Sequence, residues 1–385
     1  MKKVIVYRKQ LLRRTETFIK AQIQSYKKYT PVLYGENYWP EGMELGDIAH
    51  AVLVPDSAGR VARIWAKIRQ RLGIVPRKVF ARLQGEHPEI IHAHTGFDGT
   101  IAWPYARKLG VPLVVTLHGQ CTTTKKQDFY MGRLGFWNRF YPLLLLNLGR
   151  KKHVHFVAVS EATRNTAIAF GLPEARIQTL YSGIRLDDFP ESTLPMEARP
   201  KRVVFVARLI EFKGCRYLID AFTKVREATP DAELVIIGDG PLRAELERQA
   251  EPQREAIQFW GACGQDEIVR ALSSARAFCL PSITTEMGNY ETFGMVAIEA
   301  QAVGVPVITS ARGAKESVVD GVTGFYFAEK DVESLALLID KIINDSVLAG
   351  KMGANAARHV REAFGTEKCN ALIEAYYDKI LAEPV

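Results

Sequence analysis

The sequence predicts an α/β protein made of two doubly wound, Rossmann-like domains in succession, facing across a cleft. Three observations lead there. Short apolar runs of strand length, such as LVVTL and ELVII, alternate with stretches of helical spacing along the chain. The alternation pauses at PESTLPMEARP (190–200), where three prolines fall in eleven residues, and then restarts. Polar residues suited to a ligand stand just after strands in both halves, the edge at which doubly wound folds place their sites. With 385 residues, 47% of them hydrophobic, there is ample apolar material for two cores.

In the first half, 3–7 reads as the opening strand, and RRTETFIKAQIQSYKKY as a loop entering a helix with Thr15 or Thr17 as N-cap. This first βα turn places Arg13, Arg14, Thr15 and Glu16 to meet an acceptor or donor phosphates; a solvated basic loop fits the same residues. Strands follow at 31–34 and 51–54. From Arg60 to Arg82 eight basic residues occur with no acidic one, on an apolar pattern broken at Gly73 and Pro76. The run suits an anionic membrane surface or an ordinary domain helix pair. Strands at 89–93 and 113–117, separated by a helix over 99–109, each run into histidine, placing His94 and His118 at neighbouring strand ends. Residues 121–155 mix aromatic and basic side chains, a composition shared by nucleic-acid surfaces and lipid interfaces, while Leu143–Leu146 reads as the buried face of a helix. A strand at 155–160 leads to a helix capped by Ser160 and stopped by Gly171, and 177–181 is a further strand.

In the second half, a strand at 202–207 is followed by Arg208 and Lys213 and a helix over about 214–228. Two cations beside a helix start suit a diphosphate that gains charge as it leaves; the alternative is a structural ion pair with Glu211. A strand at 233–237 runs into GDGP, which lacks the third glycine of a dinucleotide fingerprint, and 257–261 is a short strand. Strands at 275–280 and 305–309 enclose PSITTEMGNYETFGMVAIEAQAVGVP. Within it Met295, Val296, Ile298, Ala302 and Val303 have helical spacing, so Thr292, Phe293 and Gly294 form a turn whose amides attract an anion. Glu291 and Glu299 are too far apart to share a proton or a metal, and a diphosphate would repel both. Neutral hydroxyls of a sugar and a ribose are the sensible partners, which describes a nucleotide-sugar. Residues 331–364 read as helical, as do the last twenty.

The word ETFGMVAIE, two glutamates eight positions apart, followed by a small-residue helix and GVPV, resembles the signature of the family 4 retaining glycosyltransferases of bacterial polysaccharide biosynthesis. The resemblance implies a GT-B architecture, with an acceptor-binding domain over 1–189, a nucleotide-sugar-binding domain over 190–365 and a closing helix, 366–385, that crosses back onto the first. It implies that Arg208 and Lys213 grip the donor phosphates, that Glu291 contacts the donor sugar and Glu299 the ribose, and that His118 lies near the sugar with Gly119 beside it. Phe293, Gly294 and Met295 then lie against the donor and Phe259 near the base, while His94, Arg14 and Thr15 serve the substrate side. The catalytic set is thus Glu291, His118, Arg208 and Lys213. The chain departs from the family pattern in lacking a glycine-rich first turn, where it resembles a subgroup with a Ser-Glu-Thr-Phe word, and in carrying Lys315 in place of the proline before Glu316.

No Asp-x-Asp occurs, so no metal and no cofactor are expected. The reaction implied is metal-independent transfer of a hexosyl unit, with retention, from a UDP- or GDP-linked sugar to a glycan or lipid-linked acceptor, as in cell-surface polysaccharide or lipopolysaccharide synthesis. Two alternatives remain: a nucleotide-sugar epimerase of the same architecture, and a basic nucleic-acid-binding protein. A net charge of +8 asks for an anionic partner. The expected partners are the nucleotide-sugar, the acceptor and an anionic inner-membrane surface, and not nucleic acid. Five scattered cysteines, an apolar start too short for a signal peptide and no run of about 18 apolar residues point to the cytosol.

Overall fold

A computed structural model describes residues 1–13, 16–38, 42–53, 68–69, 73–310, 312 and 314–383. The chain divides into two compact units, one of residues 1–183 with 366–385, the other of residues 184–365.

The first unit is built on β1 (Lys2–Gln10), β2 (Tyr29–Asn37), β3 (His50–Val52), β4 (Pro88–Ala93), β5 (Leu113–Leu117), β6 (Val154–Ala158) and β7 (Ile177–Thr179). They form one parallel sheet in the order β3-β2-β1-β4-β5-β6-β7. The order reverses between β1 and β4, the switch point at which a crevice opens outside the carboxyl ends of the strands. Period-two alternation covers both faces: Ile5, Ile91, Val115 and Phe156 enter one apolar cluster, and Val4, Ile90, Val114 and Val157 the other. The second face is closed by the helix Thr366–Ala382, which contributes Ile373, Tyr377 and Ile380. One oxygen of Glu374 on that helix accepts hydrogen bonds from the amides of Lys27, Lys28 and Tyr29 at 2.9, 2.6 and 3.1 Å.

The second unit repeats the plan with β8 (Arg202–Val206), β9 (Glu233–Ile237), β10 (Ile257–Gly261), β11 (Ala277–Leu280), β12 (Val307–Ser310) and β13 (Gly324–Phe327). The parallel order is β10-β9-β8-β11-β12-β13, with its switch point between β8 and β11. Its core gathers Val203, Phe205, Leu234, Ile236 and Ile308 from the strands with Leu218, Phe222, Leu335 and Ile339 from the helices.

Several local features differ from expectation. The helix Thr17–Gln24 has Glu16 at its N-cap with no side-chain cap, because that carboxylate is engaged elsewhere. The stretch 331–364 is two helices, Val332–Asn344 and Ser346–Ala363; at the break the Asp345 side chain accepts from the Leu348 amide at 2.9 Å. Of Leu143–Leu146 only Leu145 is fully buried, while Leu143 is exposed. The strand β13 was not anticipated. Ser160 does cap its helix, accepting from the Thr163 amide at 2.9 Å. No helix among the described residues is long and apolar enough to cross a membrane.

Candidate functional site

In the second unit the loops leaving β8 and β11 meet at the switch point. The Ile283 amide donates to the Phe212 carbonyl at 2.8 Å. Gly214 adopts a left-handed φ of 67° there, and a Cβ on it would collide with the Pro281 carbonyl. This close seam sets Lys213 against Glu291, and the Lys213 ammonium donates to Glu291 Oε2. Both side chains are largely withdrawn from solvent, at 15% and 14% exposure. The Gly294 amide donates to Glu291 Oε1 at 3.2 Å. Burial alone would raise the Glu291 carboxyl, but Lys213 and the amides of Gly294 and Phe293 outweigh it and hold the group below the usual carboxylate range.

Gly294, at φ 74°, is the N-cap of the helix Met295–Ala302. Glu291 therefore already occupies part of the amide cluster that the sequence reading reserved for a diphosphate. Glu299 stands on the second turn of that helix, partly exposed, and burial of its carboxyl pushes it up to about 8. Arg208 lies exposed on the loop after β8. The sequence alternative of a Lys213 ion pair with Glu211 is replaced by the pair with Glu291, 78 positions along the chain. Phe259 in β10 packs on the core, while Gln258 and Trp260 face out.

The loop carrying Glu291 is clamped by residues that no local pattern marked. The amide and hydroxyl of Thr284 both donate to the Glu329 carboxylate at 2.8 Å. The Arg312 guanidinium lies 4.6 Å from the centre of the Tyr290 ring. Both contacts join segments far apart in sequence, which is why the chain order concealed them.

In the first unit the carboxyl ends of β1, β4 and β5 converge on a stack of imidazoles. His94 lies between His92 and His118, with ring centres 4.4 and 5.7 Å away and planes within 24° and 14°. His92 hydrogen-bonds through Nδ1 to the Tyr377 hydroxyl and through Nε2 to Thr116 Oγ1 at 2.6 Å. Both ring nitrogens of His94 and Nε2 of His118 are buried with no hydrogen-bond partner among the described residues. Desolvation pushes His92 and His118 down to about 3 and His94 well below its ordinary value, so all three rings are neutral. Gly119 turns the chain into the short helix Gln120–Thr123 with φ 92°.

Arg8, which drew no attention in the sequence, ties this region together. Its guanidinium donates to the His94 carbonyl at 2.6 Å, to Asp98 Oδ2 at 2.8 Å and to Glu16 Oε1 at 2.5 Å. The second oxygen of Glu16 accepts from the Arg13 amide at 2.9 Å, so Glu16 is committed inside the protein rather than poised for a ligand. Arg14 and Thr15 lie outside the described residues, as do residues 60–67 and 70–72 of the basic run 60–82. Among the described residues no group of three or more His, Cys, Asp or Glu side chains is arranged to hold a metal ion.

Residues 191–359 match the model for Glycosyl transferases group 1, and residues 45–188 match that for Glycosyltransferase Family 4. The chain belongs to the family 4 glycosyltransferases. This glycosyltransferase chain is 30% identical over 274 residues to the glycogen synthase of Mycobacterium tuberculosis, covering 70% of this chain and 64% of that one. It is 33% identical over 162 residues, 42% of either chain, to a GDP-mannose-dependent monoacylated alpha-(1-6)-phosphatidylinositol monomannoside mannosyltransferase of Corynebacterium glutamicum. The matched stretch thus spans less than two thirds of the length of these curated relatives. Anabaena HepE, solved in complex with UDP-glucose, superposes with a TM-score of 0.78 at 19% identity over 98% of this chain and 100% of that one, which shows the GT-B type of fold.

Proposed function

We propose that this protein moves a hexosyl unit from a nucleotide-sugar to a hydroxyl of a glycan or lipid-linked acceptor, with retention and without a metal ion, in the assembly of a bacterial surface polysaccharide or lipopolysaccharide. The observation that carries the reading is the buried Lys213–Glu291 pair at the switch point of the second sheet, with Glu299 on the second turn of the helix that follows. An ammonium has three donors, so Lys213 can hold Glu291 with one and offer the others to a donor diphosphate. Arg208, on the same loop, adds a second cation. Such preset charge stabilises a leaving diphosphate as its negative charge grows. Glu291, kept ionised, accepts from a hydroxyl of the sugar, and Glu299 meets the ribose. In the first unit, the nitrogens of His94 and His118 that have no hydrogen-bond partner among the described residues suit substrate hydroxyls, and their neutrality lets them act as donors or acceptors.

That HepE was solved with UDP-glucose and that the mannosyltransferase is named for GDP-mannose supports a UDP- or GDP-linked donor. The place of work inferred is the inner face of the cytoplasmic membrane. Thermal-shift measurements against UDP-, GDP- and ADP-sugars test the reading directly, since a ligand at 100 times its dissociation constant stabilises by about 2.7 kcal/mol. No shift with any of them removes it. Incubation with donor alone distinguishes transfer from epimerisation, because an epimerase turns over fully without an acceptor.

A further inference from the structure

In the second unit the turn 291–294 leads into the helix Met295–Ala302, and Gly294 stands at its end with φ 74° and ψ 59°. A peptide plane that ends on glycine rotates with little steric penalty, so the plane joining Phe293 to Gly294 takes the direction its hydrogen bonds impose. Both ends of that plane are tied. The Gly294 amide donates to Glu291 Oε1 at 3.2 Å, and the Phe293 carbonyl accepts from the Ser317 hydroxyl at 3.0 Å. Because a trans peptide is planar, its C=O and N–H point in opposite directions, and fixing the oxygen aims the N–H. Ser317 thus aims the amide that holds Glu291.

Ser317 is itself fixed. It is fully buried on the turn 314–318, where its own amide and that of Val318 donate to the Ala314 carbonyl at 3.0 and 2.9 Å. The same carbonyl lies 3.2 Å from the Ser317 hydroxyl, farther than that of Phe293. The side-chain amide of Gln301, also fully buried, donates to the Ser317 carbonyl at 2.6 Å and to the Ala297 carbonyl on its own helix at 3.2 Å. From β13, the Tyr326 hydroxyl donates to the Val318 carbonyl. Helix and strand therefore lock the turn that presents this hydroxyl. On the far side of the chain of contacts, Glu291 Oε2 receives the Lys213 ammonium. The carboxylate is held at one oxygen by a charge and at the other by an amide whose direction Ser317 decides. With the second hold loosened it turns about the first, and a hydrogen bond to a substrate weakens as its angle departs from the ideal.

We propose that Ser317 is a positioning residue for donor recognition: through the Phe293–Gly294 peptide it aims the Glu291 carboxylate at a hydroxyl of the donor sugar. The proposal rests on the reading of Glu291 given above and deepens it, naming what gives that carboxylate its direction. A hydroxyl that only sealed the turn against the helix would support the binding of sugar and of nucleotide alike.

Calorimetry on the full chain is the test, with whichever of UDP-glucose, GDP-mannose and ADP-glucose the unaltered chain binds tightest and with the matching free diphosphate. Ser317→Ala should weaken the nucleotide-sugar about three- to tenfold, the loss expected when one orienting hydrogen bond goes, and leave the free diphosphate within about twofold. On a Glu291→Ala background the same change should lose its effect, because the carboxylate it aims is absent; residues that act through one another are non-additive in this way. Hydrogen exchange at the Gly294 amide should quicken in Ser317→Ala with no ligand present. Ser317→Cys, close in size and a weaker donor, should fall between the two and serves if the alanine variant is unstable. Equal losses for nucleotide-sugar and free diphosphate, losses that add to those of Glu291→Ala, unaltered exchange at Gly294 or no loss of binding each overturn the proposal while leaving glycosyl transfer in place. If the unaltered chain binds none of the three nucleotide-sugars, the reading of the function fails and this proposal with it.

Discussion

At the scale of single residues, the two glutamates of the second unit face opposite pulls, and this separates their expected behaviour. Lys213→Ala removes a preset cation and leaves Glu291 buried without its partner, so turnover should fall roughly 10²- to 10³-fold, with a smaller change in donor KM. Steady-state kinetics decide it, and a pure KM effect would place Lys213 in ground-state binding alone. Glu291→Gln should weaken the donor but not the free nucleoside diphosphate, since its proposed partner is a sugar hydroxyl; calorimetry showing equal losses for both would remove that assignment. Glu299 is raised to about 8 by burial, so near neutral pH it is largely protonated. The folded state then holds a proton that the unfolded chain releases above its ordinary carboxyl range. Stability should therefore fall as pH rises from about 4.5 towards 8, and Glu299→Gln should flatten that slope in thermal melts. If the ionised form accepts the ribose hydroxyls, nucleoside diphosphate binding expels this proton. Calorimetry at pH 7 in two buffers of different ionisation enthalpy should detect the release, and Glu299→Gln should abolish it.

At the scale of elements, the seam between the loops after β8 and β11 is what brings Lys213 to Glu291. Gly214→Ala forces a Cβ into the Pro281 carbonyl at a left-handed φ, so the seam must open. Its cost should exceed the roughly 1 to 2 kcal/mol expected from the φ alone, and nucleotide affinity should fall with it. Gly321→Ala is the control. It has a comparable φ of 71° and open space, so denaturant titration should show only the backbone penalty with nucleotide affinity intact. The sequence made the strands and their carboxyl ends legible because buried parallel strands are nearly continuous apolar runs, as in 113–117 and 233–237, which match β5 and β9 in full. It hid β13, whose GFYF is short and follows the turn-forming DGVT, and the break at Asp345, which a helical period passes over. It hid Arg8 and His92 for another reason. Their meaning lies in partners 86 and 285 positions away, at the His94 carbonyl and the Tyr377 hydroxyl, and no spacing encodes those distances.

At the scale of the whole molecule, the helix Thr366–Ala382 completes the first unit by covering one face of its sheet. Glu374→Gln withdraws a charged acceptor from three amides and should destabilise the first unit by about 1.5 to 3 kcal/mol. Tyr377→Phe leaves His92 Nδ1 buried and unpaired and should cost about 1 to 3 kcal/mol. Hydrogen exchange resolved by segment should show both losses around β1, β4 and β5, while the strands of the second unit keep their protection. The residues that open and close the second unit lie side by side: the Ile184 amide donates to the Phe364 carbonyl at 2.9 Å, and Ile184 bridges to Gly365. A ribosome delivers this chain from one end. Val4, Ile90, Val114 and Val157 are thus made long before Ile373, Tyr377 and Ile380 arrive to cover them, and the whole of the second unit is synthesised in between. The nascent first unit carries a bare oily sheet face for the time taken to translate more than a hundred and eighty codons. Until the helix Thr366–Ala382 covers it, that face is open to wrong association.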